Sequence, residues 1–181
     1  RRYTIPKESL TDPDCDDSNG YIYQKIPNLA KDADQDQFYT GSVGTQCVGD
    51  QLVISDSTYY KDSSGSYTWI LSTSALGSDD CDDTNSNIYQ NVDNVSPDND
   101  NDGYYKVSPA TQCVGASTLI SGRTYYMDSS GSYTWLLASD ALGSTECDDT
   151  NSNVYQNVSN LSSDNDQDGY TDTTADIRCV G

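Results

Sequence analysis

Two acidic stretches decide the fold, Asp80-Cys81-Asp82-Asp83-Thr84-Asn85-Ser86-Asn87 and Asp98-Asn99-Asp100-Asn101-Asp102-Gly103. Both belong to a 66-residue unit that repeats along the chain and carries the cysteines with it. One position of the repeat holds Cys15, Cys81 and Cys147, and another holds Cys47, Cys113 and Cys179. A repeated, carboxylate-rich loop closed by a pair of cysteines is typical of a small extracellular module built around calcium.

The repeat predicts a tandem array of modules rather than one large domain. We expect a truncated repeat 1 over residues 1–49, repeat 2 over residues 50–115 and repeat 3 over residues 116–181. Only 34% of the residues are hydrophobic, so each module buries too little apolar surface to be stable by burial alone. The regular spacing therefore predicts stabilising disulfides, Cys15–Cys47, Cys81–Cys113 and Cys147–Cys179, with pairing between modules as the alternative.

Charge and cysteine usage limit the compartment and the partners. The formal net charge of −20 argues against nucleic acids and anionic membrane surfaces as partners. Paired cysteines indicate an oxidising compartment, so we expect a secreted protein at the cell surface or outside the cell. Zinc is disfavoured because the chain has no histidine and no C-x-x-C pair. No stretch of the sequence is apolar enough to predict insertion into a membrane.

Strand signals dominate, and we predict a mainly β fold with much irregular loop ordered by metal and disulfides. Residues 51–55 and 67–72 are short β-branched and aromatic runs, and a turn at residues 62–65 could join them in a hairpin. Single helical turns are expected near residues 74–77 and 140–143. Most of each cysteine-closed loop is expected to be irregular, in an array whose modules are calcium-stabilised and contact mainly their neighbours.

The strongest metal signal is the pattern D-x-D-x-D-G-Y, which we call the acidic loop. Acids at positions 1, 3 and 5 of a tight loop converge on one hard cation, glycine permits the turn, and the carbonyl at position 7 adds an oxygen. Position 12 is not acidic, so the loop is not an EF-hand. The predicted ligands in the three copies are Asp32, Asp34 and Asp36; Asp98, Asp100, Asp102 and Tyr104; and Asp164, Asp166, Asp168 and Tyr170.

The missing ligands are expected from the acids around the first cysteine of the same module, which we call the cysteine segment. The cysteine pairing would draw this segment towards the acidic loop, and a D-x-N-x-N pattern within it could form a second site of lower charge. The candidates are Asp14, Asp16 and Asp17; Asp80, Asp82, Asp83, Asn85 and Asn87; and Glu146, Asp148, Asp149, Asn151 and Asn153. Calcium is the expected cofactor, because copper and zinc prefer histidine or free thiolate.

Two observations keep plainer explanations open. Asp and Asn runs also form ordinary turns without metal, and the serine-rich cluster at residues 62–66 is better explained as a hairpin turn. In copy one Gln37 stands where the other copies have glycine, so its site is expected to be weaker or reshaped.

The order of a Tyr-Tyr-x-Asp turn, D-C-D-D-T and then D-x-D-x-D-G resembles the MopE-type metal-binding repeats of secreted prokaryotic proteins. The acidic loops alone also resemble thrombospondin type 3 calcium repeats. The resemblance covers most of residues 58–115 and 124–181 and, more loosely, residues 14–49. It implies a calcium-stabilised, extracellular, repetitive architecture rather than a defined activity.

Function follows from what the chain offers and lacks. An enzyme is not expected, because there is no histidine base, no free cysteine and no nucleophile motif, and the acid clusters recur where catalysis needs one site. We expect a structural protein, a calcium-rigidified rod or a subunit of a surface filament or fibre. The alternative is a surface adhesin or an array of carbohydrate-binding modules that uses exposed Tyr and Trp to bind glycans.

The repeat boundaries and the sequons predict the partners and the modification of the chain. The chain opens partway through a repeat, which predicts head-to-tail association with copies of itself, with strand donation as one route. The alternative explanation is that the sequence is a fragment of a longer array. Three N-x-S sequons, at Asn94, Asn157 and Asn160, are candidate glycosylation sites on an exposed surface.

Overall fold

The computed structural model describes residues 14–164, 166–167, 169–171 and 175–181, and it is mainly β. The chain divides into two compact units, residues 1–89 and residues 90–181. Each unit contains strands from two successive sequence repeats. The structural units are therefore offset from the repeats that the sequence defines.

The first unit contains one five-stranded antiparallel sheet. Its strands are β1 (Gln24–Lys31), β2 (Thr40–Val48), β3 (Gln51–Ile54), β4 (Ser57–Lys61) and β5 (Tyr67–Leu71). Their order across the sheet is β2-β1-β5-β4-β3, so β5 pairs with β1. Apolar residues pack on both faces, with Leu29, Val48 and Tyr60 in one cluster and Ala30, Tyr59 and Ile70 in the other. Trp69 packs against the first cluster, as expected of a core aromatic.

The second unit repeats this sheet and adds a strand pair. The sheet order is β7-β6-β10-β9-β8, and β11 pairs with β12 in a two-stranded sheet. The strands are β6 (Gln90–Pro97), β7 (Ala110–Val114), β8 (Ser117–Ile120), β9 (Arg123–Met127), β10 (Tyr133–Leu137), β11 (Gln156–Leu161) and β12 (Asp176–Val180).

The cysteine-closed loops are more regular than the sequence suggested, because each contains a long hairpin. Strands β1 and β2 pair within the first loop, and β6 and β7 in the second are their equivalents. Asn28 in β1 adopts φ of 60°, and Asn160 in β11 adopts φ of 62°. The pairing register of each strand shifts at that residue. Asparagine tolerates this left-handed conformation, so each strand bends at a β-bulge without glycine.

Two further expectations need correction. Residues 51–54 do not pair with residues 67–71, because β4 lies between them and makes a three-stranded meander. The expected helical turn at residues 74–77 is absent, and near residues 140–143 a single 3₁₀ turn lies earlier, at Ala138–Asp140.

The predicted turn at residues 62–65 is confirmed, because the Asp62 carboxylate accepts hydrogen bonds from the Ser64 and Ser66 amides.

Disulfides join Cys15 to Cys47 and Cys147 to Cys179, each with a Cα–Cα distance of 5.9 Å. Cys81 and Cys113 are also disulfide-bonded. This cysteine usage fits an oxidising, extracellular compartment. Among the described residues, no helix combines the length and apolar character needed to cross a membrane.

Candidate metal centre

The first acidic loop follows β1 directly and is built on the buried carboxylate of Asp32. This side chain is 0% exposed. Its Oδ1 atom accepts the Gln35 amide at 2.7 Å, and its Oδ2 atom accepts the Gln37 amide at 3.0 Å and the Tyr59 hydroxyl at 2.5 Å. The first acid of the pattern therefore shapes the loop and ties it to β4 of the same sheet.

The second acidic loop follows β6 in the same way but leaves one oxygen without a partner. Asp98 is also 0% exposed, and its Oδ2 atom accepts the Gly103 amide at 2.9 Å and the Tyr125 hydroxyl at 2.5 Å. Its Oδ1 atom is buried and has no hydrogen-bond partner. A buried acceptor without a donor is costly in an apolar interior, so this oxygen marks a place for a ligand.

In each acid at positions 3 and 5 of the first two loops, one carboxylate oxygen accepts a loop amide and the other is buried without a hydrogen-bond partner. In the second loop, Asp100 accepts the Asp102 amide at 3.3 Å, and Asp102 accepts the Tyr104 amide at 2.8 Å. The other oxygen of each, Oδ2, is buried and has no hydrogen-bond partner. Asp34 and Asp36 repeat this division in the first loop. Candidate ligand atoms of the three acids in each of these two loops lie within 4.8 Å of one another.

The cysteine segment that joins each loop comes from the following copy of the repeat. Ligand atoms of Asp34, Asp80 and Asp83 lie within 4.8 Å of one another. The Ala33 amide donates to Asp83 at 2.6 Å, which fixes the segment on the loop. The sequence predicts that this segment supplies the acidic loop of its own module, and that prediction is wrong. We call each pairing of an acidic loop with the next copy's cysteine segment a junction.

The second junction, within the second unit, is formed in the same way by Glu146 and Asp149. The backbone amide of Asn99 donates to Asp149 Oδ1 at 2.6 Å, and the Asn99 side chain donates to Asp149 Oδ2 at 2.5 Å. Glu146 is 4% exposed, and its Oε2 atom is buried without a hydrogen-bond partner. Asp80, its counterpart at the first junction, is 9% exposed and also leaves Oδ2 without a partner.

Backbone contacts and a ring stack hold each cysteine segment in place. At the first junction the Tyr39 amide donates to the Gly77 carbonyl at 3.2 Å, and the rings of Phe38 and Tyr89 stack with centroids 4.0 Å apart. A Cβ atom at Gly77 would lie 2.6 Å from the Phe38 ring, so the close approach requires glycine. Tyr104 and Tyr155 stack at the second junction, 4.4 Å apart.

Burial and mutual repulsion raise the pKa of several junction carboxylates. Burial, together with the neighbouring carboxylates, raises the pKa of Asp34 to about 6, of Asp36 to about 7 and of Asp100 to about 6. The pKa of Asp102 is raised as well, by burial and then by the charges of Glu146, Asp98 and Asp149. In the described part of the chain, no junction acid forms an ion pair with Lys or Arg.

Position 6 of the loop is filled differently in the two copies. Gln37 adopts φ of 78°, close to the left-handed region that glycine favours, and its amide still binds Asp32. Its side chain accepts a hydrogen bond from Ser57 at 3.0 Å. At the equivalent place in copy two, Gly103 lies under the Arg123 side chain, whose Nε atom is buried without a partner. The glutamine therefore preserves the loop backbone, so the loop is not reshaped at this position, and the weaker metal binding expected of copy one stays a prediction.

Several predicted ligands serve local turns. Asp82 accepts the Thr84 hydroxyl at 2.6 Å, and Asp16 and Asp148 bind the hydroxyls of Ser18 and Thr150 in the same way. The Asn87 amide donates to Asn85, and the Asn153 amide to Asn151. The second, lower-charge site predicted at these asparagines stays a prediction. In the third loop the Gly169 amide donates to Asp164 at 2.9 Å, and Asp168 lies outside the described residues.

Sequence reasoning missed Tyr59 and Tyr125, the tyrosines that bind the first acid of each loop. Both lie in the repeated Thr-Tyr-Tyr block, whose repetition was the available signal. The three sequon asparagines, Asn94, Asn157 and Asn160, are exposed as predicted for glycosylation sites.

In comparisons with protein-family models, with curated proteins and with solved structures, nothing matches this chain. The resemblance to MopE-type and thrombospondin type 3 repeats therefore remains an interpretation of the motifs.

Proposed function

We propose that this chain is a non-catalytic structural protein that works outside the cell and is rigidified by calcium at its junctions. The observation that carries the proposal is the set of buried carboxylate oxygens without hydrogen-bond partners, on acids that lie close together at each junction. Three of them belong to side chains that are at least nine-tenths buried, on Asp80, Asp98 and Glu146. A buried, uncompensated carboxylate costs several kcal/mol, and a cation offsets that cost.

Calcium fits the donor set better than other metals. Each junction offers carboxylate oxygens from five acids, and calcium takes six to eight oxygen ligands in a flexible geometry. Asp32, Asp34, Asp36, Asp80 and Asp83 form the first set, and Asp98, Asp100, Asp102, Glu146 and Asp149 form the second. Magnesium usually retains several waters and uses few carboxylates, and transition metals prefer imidazole or thiolate ligands.

A structural role follows from where the junctions lie. Each connects the end of a sheet strand to a disulfide-bonded segment of the next repeat. An ion there would fix one repeat against the next, which is how a tandem array becomes a rigid rod or a subunit of a surface fibre. Catalysis is not proposed, because the same acid arrangement is made twice and both arrangements hold structural segments together.

The proposal is tested by thermal unfolding of the full chain in calcium and in excess chelator. Calcium at about 100 times its dissociation constant should add about 2.7 kcal/mol per site to the free energy of unfolding. The double variant Asp100→Asn with Asp102→Asn should lose much of this gain. In chelator it should melt above the wild type, because two repelling charges are gone.

The control is Asp56→Asn, which removes one charge from an exposed turn between β3 and β4. It should follow the wild type in both buffers. A melting temperature that is the same in calcium and in chelator, for the wild type, would rule out metal-rigidified junctions.

A further inference from the structure

The second acidic loop carries a positive charge where the first has a neutral pair of side chains. Two positions change together between the copies, position 6 of the loop and the first residue of strand β4 or β9. The first copy has Gln37 and Ser57, whose side chains share a hydrogen bond of 3.0 Å. The second copy has Gly103 and Arg123 at these positions. A glycine and an arginine thus stand in place of a hydrogen-bonded neutral pair.

Arg123 lies directly on the backbone of the second loop. A Cβ atom at Gly103 would be 2.5 Å from the arginine Nε atom and 2.9 Å from its Cζ atom. A side chain at position 6 would therefore force the guanidinium to move away, and glycine lets the charge approach the loop. The Gly103 amide donates to Asp98 Oδ2 at 2.9 Å. The charge is held beside the hydrogen bond that shapes the loop.

The guanidinium acts on the loop without touching its carboxylates. In the part of the chain that the structure describes, no ion pair joins Arg123 to an acid. Its Nη1 atom donates to the Ser121 carbonyl at 3.3 Å, and its Nε atom is buried without a hydrogen-bond partner. Burial and the hydrogen bond to Asp98 raise the pKa of Tyr125, and the arginine charge opposes that rise. The charge therefore acts at the hydroxyl that binds the first acid of the loop.

We propose that Arg123 tunes the second junction, stabilising its carboxylates when calcium is absent and weakening the binding of calcium. This inference rests on the proposed function, because it concerns the affinity of the same site. A fixed positive charge attracts ionised carboxylates and repels a divalent ion that lies among them. Because the first junction has Ser57 at the equivalent position, the arginine adds a difference that favours loading of the first junction before the second.

Calcium titration of a chain with one working junction tests the proposal. Asp34→Asn with Asp36→Asn disables the first junction, so titration calorimetry of this parent chain reports the second alone. In the parent, Arg123→Gln should raise the calcium affinity about tenfold, the size expected of one unit charge near a divalent ion in a partly solvated site. Arg123→Lys retains the charge, so its affinity should stay close to that of the parent.

The same substitution should have the opposite effect on the metal-free protein. In chelator, Arg123→Gln should lower the melting temperature, because the carboxylates lose a counter-charge. Lost packing alone would lower stability in both buffers without raising the affinity. The gain in affinity should shrink as salt is added, because screening weakens interactions between charges that are not in contact. The control Lys25→Gln, at an exposed position on β1, removes the same charge and should change neither affinity nor stability.

The outcomes separate this inference from the proposed function. An affinity that is unchanged or lower in Arg123→Gln, while the parent chain binds calcium, would overturn the inference and leave the proposed function standing. Absence of calcium binding by the unmodified chain would overturn both. An equal rise in the glutamine and lysine variants would assign the effect to the shape of the arginine and would overturn its electrostatic role.

Discussion

The aspartate that begins each acidic loop is held by a tyrosine from a neighbouring strand. Tyr125 is 0% exposed, and its hydroxyl lies 2.5 Å from Asp98 Oδ2. Burial and the nearby carboxylate raise the pKa of this tyrosine, so its hydroxyl stays protonated and acts as a donor. The bond leaves Asp98 Oδ1 as the oxygen that is free for an ion. The tyrosine thus positions a candidate ligand without being one itself.

Tyr125→Phe should destabilise the second unit by about 1–3 kcal/mol, because the buried Asp98 loses a donor. The effect should be visible in calcium and in chelator, as a lower midpoint of denaturant unfolding. Tyr126→Phe is the matched control, since alternate residues of strand β9 point to opposite faces. Equal stability of the Tyr125 variant and the wild type would contradict the role given to this hydroxyl.

At the scale of single elements, the acidic loops were predictable and much of the sheet was not. The D-x-D-x-D spacing identifies the loops because turn formation and charge both act over a few residues. Strands β3 and β5 carry local β-branched and aromatic signals and were predicted. Strand β1 has the sequence QKIPNLAK, whose proline and left-handed Asn28 weaken every local strand signal. Its pairing depends on contacts with β2 and β5.

The loops should also give the protein an unusual dependence on pH. The pKa of Asp34 is raised to about 6 and that of Asp36 to about 7, above their ordinary value of 3.8. The folded chain therefore binds protons more readily than the unfolded chain. This contribution to the free energy of unfolding is fully present below about pH 4 and is lost as pH rises through 6–7.

In chelator, the melting temperature should accordingly fall between pH 5 and pH 8, and the increment due to calcium should grow over the same range. Asp34→Asn with Asp36→Asn should flatten both trends. A metal-free wild type that gains stability between pH 5 and pH 8 would contradict the assignment of these carboxylates.

For the whole molecule, the sequence reveals the 66-residue period but not which cysteine segment pairs with which acidic loop. The 66-residue spacing indicates that each copy has an acidic loop and a cysteine segment. It is compatible with a loop that pairs with the cysteine segment of its own copy and with one that pairs with the segment of the next copy. Strand pairing decides between them. Because β5 lies beside β1, the chain that follows β5 is carried to the acidic loop at the end of β1, which brings Asp80 to Asp34. Such long-range pairing leaves no local signal in the sequence.

The most direct test of the account is the number of calcium ions bound per chain. Elemental analysis of the full chain after desalting would report the calcium that the two junctions retain. We predict at least one tightly bound calcium per junction, or about two per chain. The double variant Asp100→Asn with Asp102→Asn should lose the calcium that is bound at the second junction. A chain that retains no calcium would reduce the acid clusters to turns and contradict the account.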